Sequence, residues 1–170
     1  MIIRPEKIDD YPSIRRINNV AFSGDTESAI IDNIRDACGE VLSLVAVEGD
    51  HIIGHIFFSP AQAHTNGKTI KGMGLGPMAV LPERQNQGIG SRLVEAGIKI
   101  LSDRHYPFII VLGHEKYYPR FGFKPASQYG LQPQWGEIPN EAFMVLFLDS
   151  SIAKHMSGTV FYRKEFDQAM

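Results

Sequence analysis

The segment LGPMAVLPERQNQGIGSRLV, residues 75–94, determines the predicted fold. Residues 75–81 are a short apolar run rich in strand-forming side chains, and Pro82 ends the strand because proline donates no backbone hydrogen bond. The loop that follows, residues 85–90, is polar and contains two glycines. Residues 91–101 predict an amphipathic helix whose apolar face carries Leu93, Val94, Ile98 and Leu101. The segment therefore predicts a strand, a glycine loop and a helix in succession.

A glycine loop that leads into a helix indicates a site for a phosphate or pyrophosphate group. Backbone N–H groups of such a loop point into one concavity, and the helix adds the positive end of its dipole. Neither common nucleotide motif fits. A P-loop needs a Lys-Ser/Thr pair where this chain has Ser91-Arg92, and the dinucleotide fingerprint needs a third glycine where it has Leu93. A plain glycine turn without a ligand is the alternative.

Composition restricts the class of protein. With 170 residues, 44% hydrophobic and 21% charged, the chain fits a single globular domain over residues 1–170. A net charge of −2 predicts no nucleic-acid partner, and no apolar run approaches the roughly 20 residues of a membrane span. No signal peptide is recognisable. Cys38 is the only cysteine, so we expect a cytoplasmic protein and a buried, unreactive thiol.

Two helices are predicted near the N-terminus. The first begins at Asp9 or Asp10 with Pro12 in its first turn, and its apolar face carries Ile14, Ile17, Val20 and Ala21. The second covers residues 26–37, and its inward positions are Ile30, Ile31 and Ile34.

Strands are predicted on both sides of these helices and in the centre of the chain, at residues 1–4, 41–47, 51–61 and 69–81. Gly54 marks a bulge or a bend in the third of them. Glycines in the fourth strand allow a bulge or the close approach of another group, and they are Gly72, Gly74 and Gly76.

Three histidines lie on or near these strands, namely His51, His55 and His64. No nearby cysteine or carboxylate completes a metal-ligand set. We therefore expect solvated or partly packed histidines and no metal site.

The C-terminal half predicts further strands and one irregular loop. Residues 107–112 are a continuous apolar run, which suits a strand buried on both faces and parallel to its neighbour. Residues 128–140 are rich in Pro, Gln and Gly and predict an irregular loop. Trp135 is expected to pin this loop by packing, with contact to an acceptor as the alternative role. Residues 142–148 and 159–162 predict the final strands.

Two motifs resemble one family. The spacing Gln85-x-x-Gly88-x-Gly90 resembles the coenzyme A pyrophosphate loop of the GNAT superfamily of N-acetyltransferases. The run GHEKYYPRFGF, residues 113–123, places Tyr118 four residues before a Gly-Phe pair, as this superfamily often does. With GLGPMAVLP upstream, the chain is similar over nearly its whole length to the YhbS-type group of bacterial GNAT proteins.

The resemblance implies an α/β (α+β) GNAT acyl-CoA N-acyltransferase fold. Its sheet is mixed and mostly antiparallel, has a splayed parallel central pair, and carries helices on both faces. The strand at residues 107–112 would separate from residues 78–81 and admit the pantetheine arm. Acetyl-CoA is the implied co-substrate, with no metal. The implied cofactor-binding residues are Met78, Ala79, Val80, Gln85, Asn86, Gln87, Gly88, Ile89, Gly90, Ser91 and Tyr117.

The resemblance also implies N-acetyl transfer by direct attack of a primary amine on acetyl-CoA in a ternary complex. A backbone N–H near residues 78–80 would polarise the thioester carbonyl. Tyr118, at the motif position, would protonate the leaving thiolate, since a tyrosine near pKa 10 can donate at neutral pH. Tyr117 is the alternative donor, and packing on a short helix is the alternative role for Tyr118.

The general base is left open. The central strand offers no carboxylate, unlike that of family members with a glutamate there, and Glu83 lies beyond it as a turn residue. His114 is the candidate base, with Glu115 or a chain of ordered waters as alternatives. Arg120 is expected to be a solvated or structural charge, with a cofactor contact as the other possibility.

Two other function classes remain. A non-catalytic acyl-CoA sensor would keep the glycine loop and tolerate loss of Tyr118. A nucleotide-dependent transferase would need the P-loop lysine, which is absent. The acceptor is a small-molecule or peptide amine of unspecified identity. Asp25 and Glu27 either face that amine or, as the dipole favours, simply start a helix. The chain would act as a monomer or a homodimer.

Overall fold

The computed structural model describes residues 1–170. It contains three α-helices, α1 (Tyr11–Phe22), α2 (Thr26–Ala37) and α3 (Ile89–Asp103). Its strands are β1 (Ile2–Pro5), β2 (Leu42–Glu48), β3 (His51–Thr65), β4 (Lys68–Val80), β5 (Phe108–Leu112), β6 (Lys124–Pro125), β7 (Leu131–Pro133), β8 (Phe143–Phe147) and β9 (Gly158–Phe161).

The sheet is mixed, as predicted. Its strand order is β1-β2-β3-β4-β5-β8-β6, and β9 pairs with both β3 and β7. The central parallel pair joins β4 to β5, with Met73, Gly74 and Leu75 opposite Ile109, Ile110 and Val111. A second parallel pair joins β7 to β9. The prediction of an irregular loop over residues 128–140 is therefore wrong at Leu131–Pro133, because pairing with β9 overrides a local composition poor in strand formers.

The chain divides into two compact units. The first contains Met1–Phe58, Gly76–Lys99 and Glu165–Ala169, and the second contains Ser59–Leu75, Ile100–Lys164 and Met170. The single domain over residues 1–170 stays a prediction.

In the first unit, α1 and α2 cover apolar strand residues. The predicted inward residues of α2 are buried in one cluster with Phe57. Ile14 of α1 packs with Val45 and Val47 of β2. Val20 is exposed, so its predicted place on the apolar face is wrong. Asn18 is buried instead, because the inner stripe of the helix follows steps of three and four residues from Ile14.

Cys38 ends α2 and is half-buried against the same apolar cluster. Its sulfur accepts a hydrogen bond from the Glu40 amide at 3.4 Å. The predicted fully buried thiol is therefore only half covered, because the chain leaves the helix at this residue in an extended conformation.

A buried polar network also lies in the first unit, around His55. Asn18 Nδ2 donates to His55 Nδ1 at 3.1 Å, so the ring proton lies on Nε2, which is 2.9 Å from Ser43 Oγ. The Ser43 hydroxyl donates to the Glu6 carboxylate, which also pairs with Arg35. His55 is fully buried, so the expectation of a solvated or partly packed histidine is wrong. Burial, with a smaller contribution from the Arg35 charge, lowers the pKa of His55 to about 3.

Glycines of the strands admit close packing at Gly54, Gly72 and Gly74, as predicted, whereas Gly76 has φ +147° and no other atom within 4 Å of its Cβ position. Gly54 lies at a register shift between β2 and β3, and a Cβ there would meet Ile89 at 3.0 Å. A Cβ at Gly72 would lie 2.6 Å from the Phe108 ring. A Cβ at Gly74 would lie 2.5 Å from the Tyr162 ring. Gly72 and Gly74 therefore leave space that an aromatic ring from elsewhere occupies, whereas a Cβ at Gly54 would require the Ile89 side chain to move by only a few tenths of an ångström.

Candidate active site

The glycine loop lies in the first unit, between β4 and α3. A 3-10 turn at Pro82–Arg84 follows the strand, and residues 85–88 are exposed. Asn86 has φ +60° and Gly88 has φ +80°, which is left-handed backbone that favours glycine. No other atom lies within 4 Å of the position where a Gly88 Cβ would stand. The backbone at Gly88 is therefore open to a ligand.

Side chains of the loop hold its shape. Gln85 Nε2 donates to the Val80 carbonyl at 3.2 Å, and Gln87 Nε2 donates to the Glu83 carbonyl at 3.3 Å. Arg84 donates twice to the Glu48 carboxylate, at 2.5 and 3.1 Å. The side chains of the two glutamines predicted to bind the cofactor thus brace the loop.

The helix begins two residues earlier than predicted, so Ile89 and Gly90 lie in its first turn rather than in the loop. The amide of Arg92 donates to the Gly88 carbonyl at 3.1 Å. Amides ahead of that bond, those of Ile89 and Gly90, have no carbonyl partner within the helix. These amides and the positive end of the helix dipole favour an anion at this terminus. Pyrophosphate binding by residues 85–91 stays a prediction.

The last residues of β4 lead into this loop within the same unit. Ala79 is buried, while Met78 and Val80 are half-buried. The Leu81 amide donates to the Ile53 carbonyl at 3.0 Å, which ties the end of the strand to β3.

The tyrosines lie in the second unit, where Tyr118 begins the 3-10 helix Tyr118–Phe121. The ring of Tyr118 is buried and makes edge-to-face contacts with the rings of Tyr117 and Phe123, at 5.0 and 5.7 Å between centroids. It also covers Gly113, where a Cβ would lie 2.4 Å from the Tyr118 ring. Burial, and to a smaller extent the neighbouring Tyr117, raises the pKa of Tyr118. The hydroxyl therefore stays protonated at neutral pH.

The neighbours of Tyr118 are more exposed. Tyr117 is half-buried, and the Arg120 guanidinium stacks 4.1 Å from its ring centroid and donates to its carbonyl at 3.0 Å. The side chain of His114 is exposed. Its carbonyl accepts the amides of Tyr117 and Tyr118, at 3.0 and 3.4 Å, so His114 begins the turn that carries both tyrosines.

Tyr162 was not predicted as a site residue, yet it contacts the central parallel pair. Its hydroxyl donates to the Leu75 carbonyl at 2.9 Å and accepts the Leu112 amide at 3.2 Å. Trp135 stacks on its ring, at 5.7 Å and 24°, which confirms the predicted packing role of this tryptophan. The sequence carried one indication of this contact. The glycine at position 74 predicted that another group approaches the strand closely, but it did not identify that group as Tyr162.

Other predicted polar residues lie outside these clusters. His51 and His64 are exposed, and no group of three His, Cys, Asp or Glu side chains lies close enough to hold a metal ion. Asp25 precedes α2 without a side-chain capping bond, and Glu27 lies in its first turn. No helix is both long and apolar enough to cross a bilayer.

Sequence comparison assigns the family. A family model described as an acetyltransferase (GNAT) domain matches residues 2–126. The uncharacterized N-acetyltransferase YhbS of Escherichia coli K12 is 30% identical over 169 residues, 99% of each chain. YjhQ of the same strain is 32% identical over 152 residues, 88% of this chain and 84% of its own. The chain belongs to the GNAT acetyltransferase family.

Solved structures agree with this assignment. The structure of Escherichia coli YhbS in complex with CoA matches with a TM-score of 0.91 and 30% identity, over 98% of this chain and 91% of that one. A GNAT acetyltransferase from Brucella melitensis in complex with acetyl-CoA matches with a TM-score of 0.79 and 34% identity, over 98% and 97%. The chain is therefore an acetyl-CoA-dependent acyltransferase with the GNAT fold.

Proposed function

We propose that the chain transfers the acetyl group of acetyl-CoA to a primary amine by direct attack in a ternary complex. The observation that carries this proposal is the open, left-handed backbone at Gly88 directly before the N-terminus of α3. Acetyl-CoA, when bound, supplies a thioester carbonyl that an amine can attack. The amides of residues 85–91 hold its pyrophosphate, and Tyr117 and residues 78–80 contact the rest of the molecule.

Charge that develops on the thioester oxygen needs a hydrogen-bond donor. A backbone N–H among Met78, Ala79 and Val80 supplies it, as donors fixed by a strand need no reorganisation during the reaction. These residues follow the parallel ladder of β4 and precede the loop.

Tyr118 donates to the sulfur of the leaving thiolate. Its raised pKa keeps the hydroxyl protonated throughout the neutral range, so the donor form is always available. A thiolate with a pKa near 8.5 needs only modest stabilisation, which a hydrogen bond from a neutral tyrosine provides.

His114 is our candidate for the base that removes a proton from the acceptor amine. Its exposed side chain can pass that proton to solvent. Glu115 and a chain of ordered waters remain the alternatives. The acceptor is a small-molecule or peptide amine, and the chain acts in the cytoplasm as a monomer or a homodimer.

A panel of amines tests this function, with release of free thiol from acetyl-CoA as the measurement. We expect turnover with at least one amine. We also expect kcat to be about 10- to 100-fold lower for Tyr118→Phe, because the leaving thiolate loses a hydrogen bond to a charged atom worth about 1.5–3 kcal/mol. CoA binding should be unchanged in that variant. Tyr129→Phe is the matched control, since this tyrosine packs on Phe147. Binding without turnover on any amine would instead support the acyl-CoA sensor, and a normal kcat in Tyr118→Phe would remove Tyr118 from the mechanism.

A further inference from the structure

The hydroxyl of Tyr162 lies at the end of the parallel ladder between β4 and β5. Leu75 lies opposite Val111, so Leu75 and Leu112 occupy neighbouring positions at the end of the two strands. The Tyr162 hydroxyl bonds to both of them and lies 3.3 Å from the Ile110 carbonyl. A single side-chain oxygen from the C-terminal part of the chain therefore joins the last backbone groups of this strand pair.

The ring that carries this hydroxyl packs against β4 and against Trp135. It fills the space above Gly74, where a Cβ would lie 2.5 Å away, and Trp135 stacks on it. The Tyr162 amide donates to Gln134 Oε1 at 2.5 Å. Burial raises the pKa of Tyr162, so the hydroxyl stays neutral and able to donate. Its position is fixed rather than adaptable.

Two functional segments begin at the residues that this hydroxyl holds. Leu75 precedes Gly76, whose φ is +147°, and β4 then continues to residues 78–80. Leu112 precedes Gly113, and the ring of Tyr118 lies against Gly113. A displacement of the Leu112 amide would therefore move the backbone on which Tyr118 rests.

We propose that Tyr162 is a positioning residue of the acyltransferase, which fixes the end of the β4–β5 ladder and, through Leu112 and Gly113, the ring of Tyr118. This inference rests on the proposed function, because it assigns Tyr118 a role in turnover. Tyr162 itself does not touch the reacting atoms, and its effect on the rate passes through Tyr118.

A double-mutant cycle tests the proposal with Tyr162→Phe, Tyr118→Phe and the combined variant, measured by thiol release with an amine found in the panel. Tyr162→Phe keeps the ring and removes only the hydroxyl. We expect its kcat to fall about 10-fold with the Kd of CoA within about 3-fold of the parent, since small misplacements reduce rates more than binding. In the Tyr118→Phe background, adding Tyr162→Phe should lower kcat by less than about 2-fold.

Hydrogen exchange gives a readout that does not depend on turnover. In Tyr162→Phe the Leu112 amide should exchange at least about 10-fold faster, because it loses its acceptor, while the Ile110 amide keeps its rate. If Tyr162→Phe does not fold, Gly74→Ala replaces it, since the new Cβ displaces the intact Tyr162 ring and should lower kcat in the same way.

The outcomes separate the two proposals. A parent protein that turns over while Tyr162→Phe keeps its kcat overturns the role of Tyr162 alone. If Tyr162→Phe lowers kcat by the same factor in the parent and in Tyr118→Phe, the role of Tyr162 is also overturned, because its effect would not pass through Tyr118. A parent protein that releases no thiol with any amine overturns the proposed function, and the role of Tyr162 with it.

Discussion

At the scale of single residues, four glycines each admit an aromatic ring where a side chain would not fit. The pairs are Gly72 with Phe108, Gly74 with Tyr162, Gly97 with Phe58 and Gly113 with Tyr118. In each pair a Cβ on the glycine would lie well under 3 Å from a ring carbon. None of the four has a left-handed φ, so packing space rather than backbone conformation requires the glycine.

The Gly113 pair leads to a direct test. Gly113→Ala would place a Cβ 2.4 Å from the Tyr118 ring, so the ring must move. We expect kcat to fall by about 10-fold or more while CoA binding is retained, because the shift misplaces the proposed acid. Thiol-release kinetics and calorimetric titration with CoA measure the two quantities.

Gly136→Ala is the matched control, since no other atom lies within 4 Å of a Cβ at that glycine. Equal kcat values for Gly113→Ala and the parent would show that the position of Tyr118 does not matter for turnover.

Sequence reasoning proposed Tyr118 as a candidate because its spacing from a Gly-Phe pair is local, and its catalytic role stays a prediction. It did not identify Tyr162, whose partners Leu75 and Leu112 are distant along the chain. A tyrosine at the end of a strand carries no local sign of a hydroxyl bonded to two other strands.

At the scale of elements, strands and helices with a clear period were predicted within a few residues. The prediction was wrong at β7 and at the start of α3. β7 forms because β9 pairs with it, and α3 starts early because the left-handed Gly88 turns the chain directly into the helix. The apolar strand around His55 was a sign that this histidine is buried. Its hydrogen-bond partners Asn18 and Ser43 come from other elements, so the sequence around His55 did not show them.

The buried His55, which links β3 to α1 and β2, makes stability depend on pH. The ring is neutral in the folded protein, with a pKa of about 3, and takes up a proton near pH 6.5 when the chain unfolds. The unfolded state therefore binds more protons between these values, and the free energy of unfolding falls as the pH drops. We expect a slope approaching about 1.4 kcal/mol per pH unit from this residue below pH 6.

Denaturant unfolding between pH 6.5 and 4.5 measures this slope. Asp10 titrates below this range, because its hydrogen bond from Arg4 lowers its pKa. His55→Gln should reduce the slope by about one proton, whereas His51→Gln, an exposed histidine on the same strand, should not. The same slope in His55→Gln and in the parent would contradict the assignment.

At the scale of the whole molecule, continuous elements pass from one compact unit to the other. β3 does so after Phe58, β4 after Leu75 and α3 after Lys99. Separate unfolding of one unit would therefore have to break elements that the other unit retains. The chain should unfold as the single domain that its length predicts.

Differential scanning calorimetry tests this. We expect one transition with equal calorimetric and van't Hoff enthalpies, of about 120 kcal/mol for a chain of this size. Two resolved transitions, or a calorimetric enthalpy well above the van't Hoff value, would show that the two units unfold independently.

The central claim is that the open backbone at Gly88 and the N-terminus of α3 bind the pyrophosphate of acetyl-CoA. Calorimetric titration with acetyl-CoA, CoA and ATP tests it on the parent, on Gly88→Trp and on Gly67→Trp. Gly67 is the matched control because its φ is +73°, against +80° at Gly88, and neither has another atom within 4 Å of its Cβ position. We predict that the parent and Gly67→Trp bind acetyl-CoA and CoA but not ATP, and that Gly88→Trp binds none of them. Undiminished binding of acetyl-CoA by Gly88→Trp, or no binding by the parent, would contradict the claim.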